Sequence, residues 1–205
     1  MGGLSQNPQA RALVQRVGAK LVRESVAAKS QYRYAFYVLA DRRTVNAFAL
    51  PGGPVFITEG LLTLLKSEAE VAAVLGHEIG HVVARHSSER LAKEQLTRGL
   101  VGALVVGTGD YTSAQIGQLV GGMINMRYGR EDELESDSLG VRIMAEAGYD
   151  PRAMIRVMEV LAQASGGSRQ PEFFSTHPAP ENRAARIKEA IAKQFPSGVP
   201  HGLAK

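Results

Sequence analysis

Two histidines four residues apart, His77 and His81, sit ten residues into a run opened by Ser67-Glu68-Ala69-Glu70, and this arrangement constrains the chain most. Serine followed three residues later by glutamate is a capping-box pattern, in which both side chains satisfy free backbone N–H groups at a helix start. The helix it opens is expected to run from Glu68 to His86. Histidines at i and i+4 project from one face a turn apart. Both imidazoles can then hold a single zinc ion at about 2.0–2.1 Å. Glu78 is turned about 100° from His77, so it can reach a water beside the metal without being a ligand.

Such a site needs a third protein ligand. His86 lies nine residues beyond His77, which on a continuing helix points it to the opposite side. A third histidine in the same run is missing, because alanine and serine occupy positions 84 and 87. The acidic stretch Arg130-Glu-Asp-Glu-Leu-Glu-Ser-Asp137 offers Glu131, Glu133 and Glu135 instead. At helical spacing Glu133 shares a face with Asp137, Val141 and Met144, an inward stripe, whereas Glu131 and Glu135 share faces with Arg142 and Glu146. An inward carboxylate is costly without a partner, and a metal ion is a sufficient one. Asp137, one turn on, is placed to accept the outer ring N–H of a metal-bound histidine and fix its tautomer. Glu131 and Asp132 fit an acidic first turn that complements the helix dipole.

The rest of the chain reads as α+β, mostly α-helical. An N-terminal amphipathic helix is expected within residues 1–28, from Pro8 to about Ala28. A small sheet follows in 29–58, from strand-like runs at Tyr32–Leu39, Val45–Leu50 and Val55–Thr58 around the turn signal Leu50-Pro-Gly-Gly-Pro54. A helical core fills 59–164, with helices at Leu61–Leu65, Ser88–Val106, Ser113–Met126, Glu131–Ala147 and Pro151–Ala164 beside the histidine helix. Ser165-Gly-Gly-Ser-Arg-Gln-Pro171 is a break, and 171–194 supplies a loop and a last helix, Pro180–Gln194. At 205 residues with 44% apolar content, one domain spanning 1–205 is expected.

The 24 basic and 20 acidic residues are scattered, with no like-charge block to mark a nucleic-acid partner. The net charge of +4 reads mainly as solubility, with a weak bias toward acidic surfaces such as anionic lipid at a peripheral membrane contact. Without cysteine there are no disulfides, thiolate metal sites or cysteine nucleophile. The start, Met1-Gly2-Gly3, leads into a polar helical pattern, so a targeting segment is expected to be absent from this sequence. Between Arg98 and Arg127 only Asp110 is charged, but Gly107-Thr-Gly-Asp-Tyr-Thr-Ser113 divides the stretch. Each half falls short of the ~20 residues a span requires, so a buried helical hairpin is expected.

These motifs, with Asn46-Ala-Phe-Ala-Leu-Pro-Gly-Gly53 and Thr176-His-Pro-Ala-Pro-Glu-Asn-Arg183, resemble those of a zinc peptidase family. That family includes the HtpX-type membrane proteases, the CAAX prenyl endopeptidases and exported BepA-like proteins; the match is to the soluble exported branch. Gly76-His-Glu-Ile-Gly-His81 and Glu133-Leu-Glu-Ser-Asp137 also match, with Ser136 where the family usually has alanine. The resemblance implies a zincin-like (gluzincin) domain with an edge strand beside the histidine helix. It implies one zinc per chain on His77, His81 and Glu133, and Glu78 as catalytic base. Asp137 falls on an aspartate often described as a proton donor. It implies that His177, supported by Arg183, stabilises the oxyanion of peptide hydrolysis or takes the fourth metal position and silences the site. Asn46, Ala47, Phe48, Ala49 and Leu50 resemble an edge strand to which an extended polypeptide substrate adds. The expected setting is the periplasm, with hydrolysis of unfolded or misassembled proteins in quality control and an outer-membrane assembly contact. The alternative is a chaperone-like assembly factor whose zinc site is latched and mainly structural.

Overall fold

A computed structural model describes residues 3–92, 127–165, 171–178 and 182–205. Asn7 caps the first helix, α1 (Pro8–Arg23), by accepting from the N–H groups of Gln9 and Ala10, and proline occupies its first turn. A 3-10 turn at Val26–Lys29 then closes the expected N-terminal helix short of the sheet.

Three strands follow: β1 (Ala35–Leu39), β2 (Ala47–Ala49) and β3 (Pro54–Thr58). Their order is β1-β3-β2, with β1 parallel and β2 antiparallel to β3. Phe36, Val38, Val55, Ile57, Ala47 and Ala49 are buried in the core shared with Val14, Val17 and Leu21 of α1. Tyr37, Phe56 and Phe48 stack in a row, with centroids 5.1 and 5.0 Å apart.

β2 is an edge strand whose main chain is divided by the antiparallel ladder. Asn46 O accepts from Thr58 N at 3.0 Å and Leu50 N donates to Pro54 O at 2.8 Å. Asn46, Phe48 and Leu50 therefore spend their backbone groups on β3, and Ala47 and Ala49 turn theirs outward. Val45 O is taken by Phe173 N at 3.0 Å, and Ala49 O receives the Ser87 hydroxyl at 3.4 Å. Among the described residues, the Ala47 N–H and C=O and the Ala49 N–H keep no partner.

After the short α2 (Glu59–Leu62) comes α3 (Glu68–Val83), buried from Ala69 to Val82. Ser67 Oγ accepts from Glu70 N, as the capping pattern predicts, but Glu70 Oε2 reaches past the cap to Lys66 N at 2.7 Å. The helix stops three residues before the expected His86. Ala84 caps it and Arg85 is left-handed, with φ of 65°. A new helical segment begins at 86 and is described to 92. Most of Ser88–Val106 and Ser113–Met126, with the expected hairpin, lies outside the described residues.

The later helices are α4 (Arg130–Glu146), α5 (Ala153–Ala164), the single turn α6 (Phe173–Thr176) and α7 (Arg183–Gln194). α7 begins three residues after the expected Pro180, on Asn182 at φ 66°. α3 packs mainly on α4, with α1, α5 and β2 on its other sides. Glycine makes the α3–α4 approach possible: a Cβ on Gly80 would stand 2.9 Å from Ser136 O, and one on Gly140 3.2 Å from His77 N. The described structure is thus mostly helical with a small three-stranded sheet. No described helix is long and apolar enough to cross a membrane.

Candidate metal centre

The close α3–α4 seam brings the histidine face of one helix onto the acidic start of the other. Glu133 is fully buried, whereas Glu131 and Glu135 are exposed. His77 Nε2 and His81 Nε2 point at one another across 3.1 Å. Glu133 closes the group, Oε2 lying 3.5 Å from His77 Nε2 and Oε1 3.4 Å from His81 Nε2.

His177 joins them from the loop after α6. Its N–H donates to Phe173 O at 2.7 Å, Phe173 N is tied to Val45, and Tyr128 N donates to Thr176 O at 2.9 Å. These bonds anchor the loop to the lead-in of β2 and to the approach to α4. His177 Nδ1 then sits 3.0 Å from Glu133 Oε1 and 3.3 Å from His77 Nε2. One donor atom from each of His77, His81, Glu133 and His177 falls within 4.8 Å of the others.

This arrangement fits a metal ion. Ligands held about 2.0–2.1 Å from a tetrahedral zinc stand roughly 3.3–3.4 Å apart, close to the spacings here. His77 Nε2 faces His81 Nε2 at 3.1 Å and His177 Nδ1 at 3.3 Å, so protons on all three nitrogens would point at one another, and among the described residues Glu133 Oε2 keeps no hydrogen bond. Both Glu78 oxygens and His177 Nε2 are likewise buried without a hydrogen bond, 3.4 Å separating Glu78 Oε1 from His177 Nε2.

The outer nitrogens of the histidines are occupied. His77 Nδ1 lies 2.9 Å from Asp137 Oδ1. Asp137 in turn receives Arg183 through Nε at 2.9 Å and Nη2 at 2.8 Å, while Arg183 Nη1 comes 3.0 Å from Glu133 Oε2. His81 Nδ1 lies 3.0 Å from His86 Nδ1, so His86 does not point to the far side of the helix. The left-handed Arg85 is the reason: it ends α3 and folds His86 back under His81. His86 nonetheless lies outside the four-residue donor group.

Electrostatics follow from burial opposed by partners. Burial acts against the Glu133 carboxylate, but His177, His77 and His81 outweigh it and hold the carboxyl well below the usual range. Burial lowers the His77 imidazole, yet its bonds to Asp137 and Glu133 prevail and bring it up to about 9. A cation entering the site therefore competes with a proton on His77. Burial raises the Asp137 carboxyl, and the Arg183 charge with the His77 bond brings it below the ordinary value. Burial pushes Glu78 above it.

Two aromatic rings line the site without any signal in the sequence pattern. Tyr128 stacks on His81 with centroids 3.8 Å apart, its hydroxyl 2.6 Å from Ser87 Oγ. Phe173 stacks on His177 at 4.4 Å. Both lie outside the periodic stretches, where neither a helical face nor strand alternation could rank them. Asn46 is fully buried, with both side-chain amide atoms lacking a hydrogen bond.

Comparison with known proteins places this geometry in a family. Residues 8–191 match the model of Peptidase family M48. The mitochondrial metalloendopeptidase OMA1 of Arabidopsis thaliana is 36% identical over 75% of this chain and 31% of its own length. OMA1 of Schizosaccharomyces pombe is 36% identical over 80% of this chain and 49% of its own. The beta-barrel assembly-enhancing protease of Escherichia coli K12 is 32% identical over 94% of this chain and 41% of its own. The chain thus spans between about a third and a half of these relatives' lengths. With residues 8–191 matched and a histidine–glutamate cluster able to hold one metal ion, the chain belongs to Peptidase family M48.

Proposed function

We propose that this domain is an endopeptidase of the gluzincin type, with His77, His81 and Glu133 holding zinc and Glu78 as general base. The observation that carries the reading is the convergence of those three donors beside a buried Glu78 carboxylate with no hydrogen-bond partner. Bound zinc would supply Lewis-acid polarisation of the scissile carbonyl and lower the pKa of the attacking water toward about 7. Glu78, its proton affinity raised by burial, takes the proton from that water and delivers it to the leaving nitrogen.

Asp137 serves as the orienting partner of His77 rather than as a proton donor. Its two bonds from Arg183 keep it ionised at neutral pH, with no proton to give. Arg183 holds Asp137 and screens Glu133. His177, 3.4 Å from Glu78, stabilises the developing oxyanion.

The substrate is a polypeptide added as a strand along β2, held by the outward groups of Ala47 and Ala49. Asn46, Phe48 and Leu50 belong to the same edge but face β3 with their main chain. Resemblance to the beta-barrel assembly-enhancing protease supports a periplasmic setting, with unfolded or misassembled envelope proteins as substrates and an outer-membrane assembly contact.

Glu78→Gln tests the chemistry: the variant is expected to retain zinc and lose casein hydrolysis. Equal cleavage by that variant would end the proposal. The second reading, a chaperone-like factor with a latched site, is favoured by one observation: His177 Nδ1 already stands among the donor atoms. His177→Ala distinguishes the two. Activity on an unfolded protein rises if His177 latches the metal and falls if it stabilises the oxyanion.

A further inference from the structure

His81 has an outer partner of an unusual kind. Where His77 meets a carboxylate, His81 meets another imidazole, 95% buried, at 3.0 Å. The tautomers follow from the contacts. For His81 to offer its Nε2 lone pair to a metal ion held with His77 and Glu133, its proton must sit on Nδ1. That N–H then needs an acceptor, and His86 Nδ1 supplies it. His86 must in turn carry its proton on Nε2, where Glu135 Oε2 accepts at 3.3 Å. Ser136 Oγ, fully buried, lies 3.2 Å from the same His86 Nδ1. A chain of hydrogen bonds therefore runs from the metal-facing nitrogen of His81 through His86 to Glu135, a surface carboxylate with a side chain 61% exposed.

Each link depends on a local accident of backbone. Arg85 at φ 65° turns His86 inward. Glu135 and Ser136 are consecutive residues of α4, so one reaches His86 Nε2 from the surface and the other meets Nδ1 from the seam. Ser136 is also the position at which the chain departs from the alanine of the family pattern, and the departure gives His86 a hydroxyl.

We propose that His86 is a positioning residue for the metal: with Glu135 and Ser136 it fixes the tautomer and ring orientation of His81. The inference rests on the assignment of His77, His81 and Glu133 as metal ligands, and its test separates the two. Zinc affinity is measured on the full chain by competition with a chromophoric chelator, alongside the visible absorption of the cobalt-substituted protein. Absence of metal binding by the unaltered chain would overturn the ligand assignment itself.

Given binding, His86→Phe is expected to weaken zinc affinity by about 10- to 100-fold, the range typical of partners behind a metal ligand, and to change the cobalt spectrum. His86→Asn, whose amide oxygen can accept where Nδ1 did, should recover most of the loss. Should His86→Phe fail to fold, Glu135→Lys at the exposed end removes the acceptor without disturbing packing, and is expected to lower affinity about 3- to 10-fold. Unchanged affinity and spectrum in His86→Phe, or in Glu135→Lys where that variant stands in, would overturn the proposal. So would an equal loss in the Phe and Asn variants that tracks the melting temperature of the metal-free protein.

Discussion

Arg183 is 4% exposed, and its guanidinium spreads over two buried carboxylates, Asp137 and Glu133. Burial opposes its charge, yet Asp137 and Glu133 outweigh that and raise its pKa further. Removing one member of such a group leaves uncompensated buried charge, so Arg183→Met should destabilise the metal-free protein by about 3–5 kcal/mol. Thermal or urea unfolding in the presence of a chelator measures it, and a loss within error of zero would contradict the buried ion group. Lysine should restore only part, because a point charge cannot make the paired bonds to Asp137. At this scale the sequence was legible wherever a period existed. Glu133 could be separated from Glu131 and Glu135 because a 3.6-residue repeat assigns each to a face. Arg183 and His177 carried no such repeat; only their resemblance to a known motif marked them. The exclusion of His86 from the ligands held, but its direction did not, because a left-handed arginine has no sequence signal, whereas glycine or asparagine would have announced the helix end.

The decisive element pair is α3 and α4, and small residues set its spacing. A methyl group on Gly80 would press on the Ser136 carbonyl, a backbone atom that cannot rotate away. Gly80→Ala should therefore push the helices apart by a few tenths of an ångström and cost about 1–3 kcal/mol. Because the same seam sets the distance from Glu133 to the histidines, zinc affinity should fall with it; a stable variant with unchanged affinity would mean that the seam does not set the site. Strand positions followed well from alternation, with β1 and β2 inside the expected runs and β3 starting one residue before its own, at Pro54. Their pairing did not. Parallel β1–β3 contact with β2 outside depends on where α1 and α3 cover the sheet, which a local pattern does not carry. The late start of α7 at Arg183 reflects the left-handed Asn182, which the helix-favouring Pro180 concealed.

Across the whole molecule, several carboxylates share one response to acid. Burial opposes ionisation of Glu133, Asp137 and Asp150, but histidine and arginine partners hold all three below their ordinary values. Glu68, bonded by Tyr149 and Arg16, is held low as well. A depressed carboxyl contributes stability above its unfolded pKa near 4, and that stability is lost as pH falls through the folded value. The metal-free protein should thus show a urea midpoint that falls as pH drops below about 4. A midpoint indifferent to acid would contradict these shifts. Metal adds a separate increment: at free zinc 100 times the dissociation constant, stability should rise by about 2.7 kcal/mol, and a chelator should lower the melting temperature accordingly. On the proposed mode of substrate addition, the edge of β2 would bear on selection among substrates. Three main-chain groups, each worth about 0.5–1.5 kcal/mol net, give an extended segment only a brief stay. The main-chain groups they would meet are shared by every sequence and mostly paired in a folded chain. On the proposed strand addition, such an edge would act as a clock rather than a reader: a polypeptide that folds or assembles promptly would escape, and one that lingers with its main chain bare would be cut.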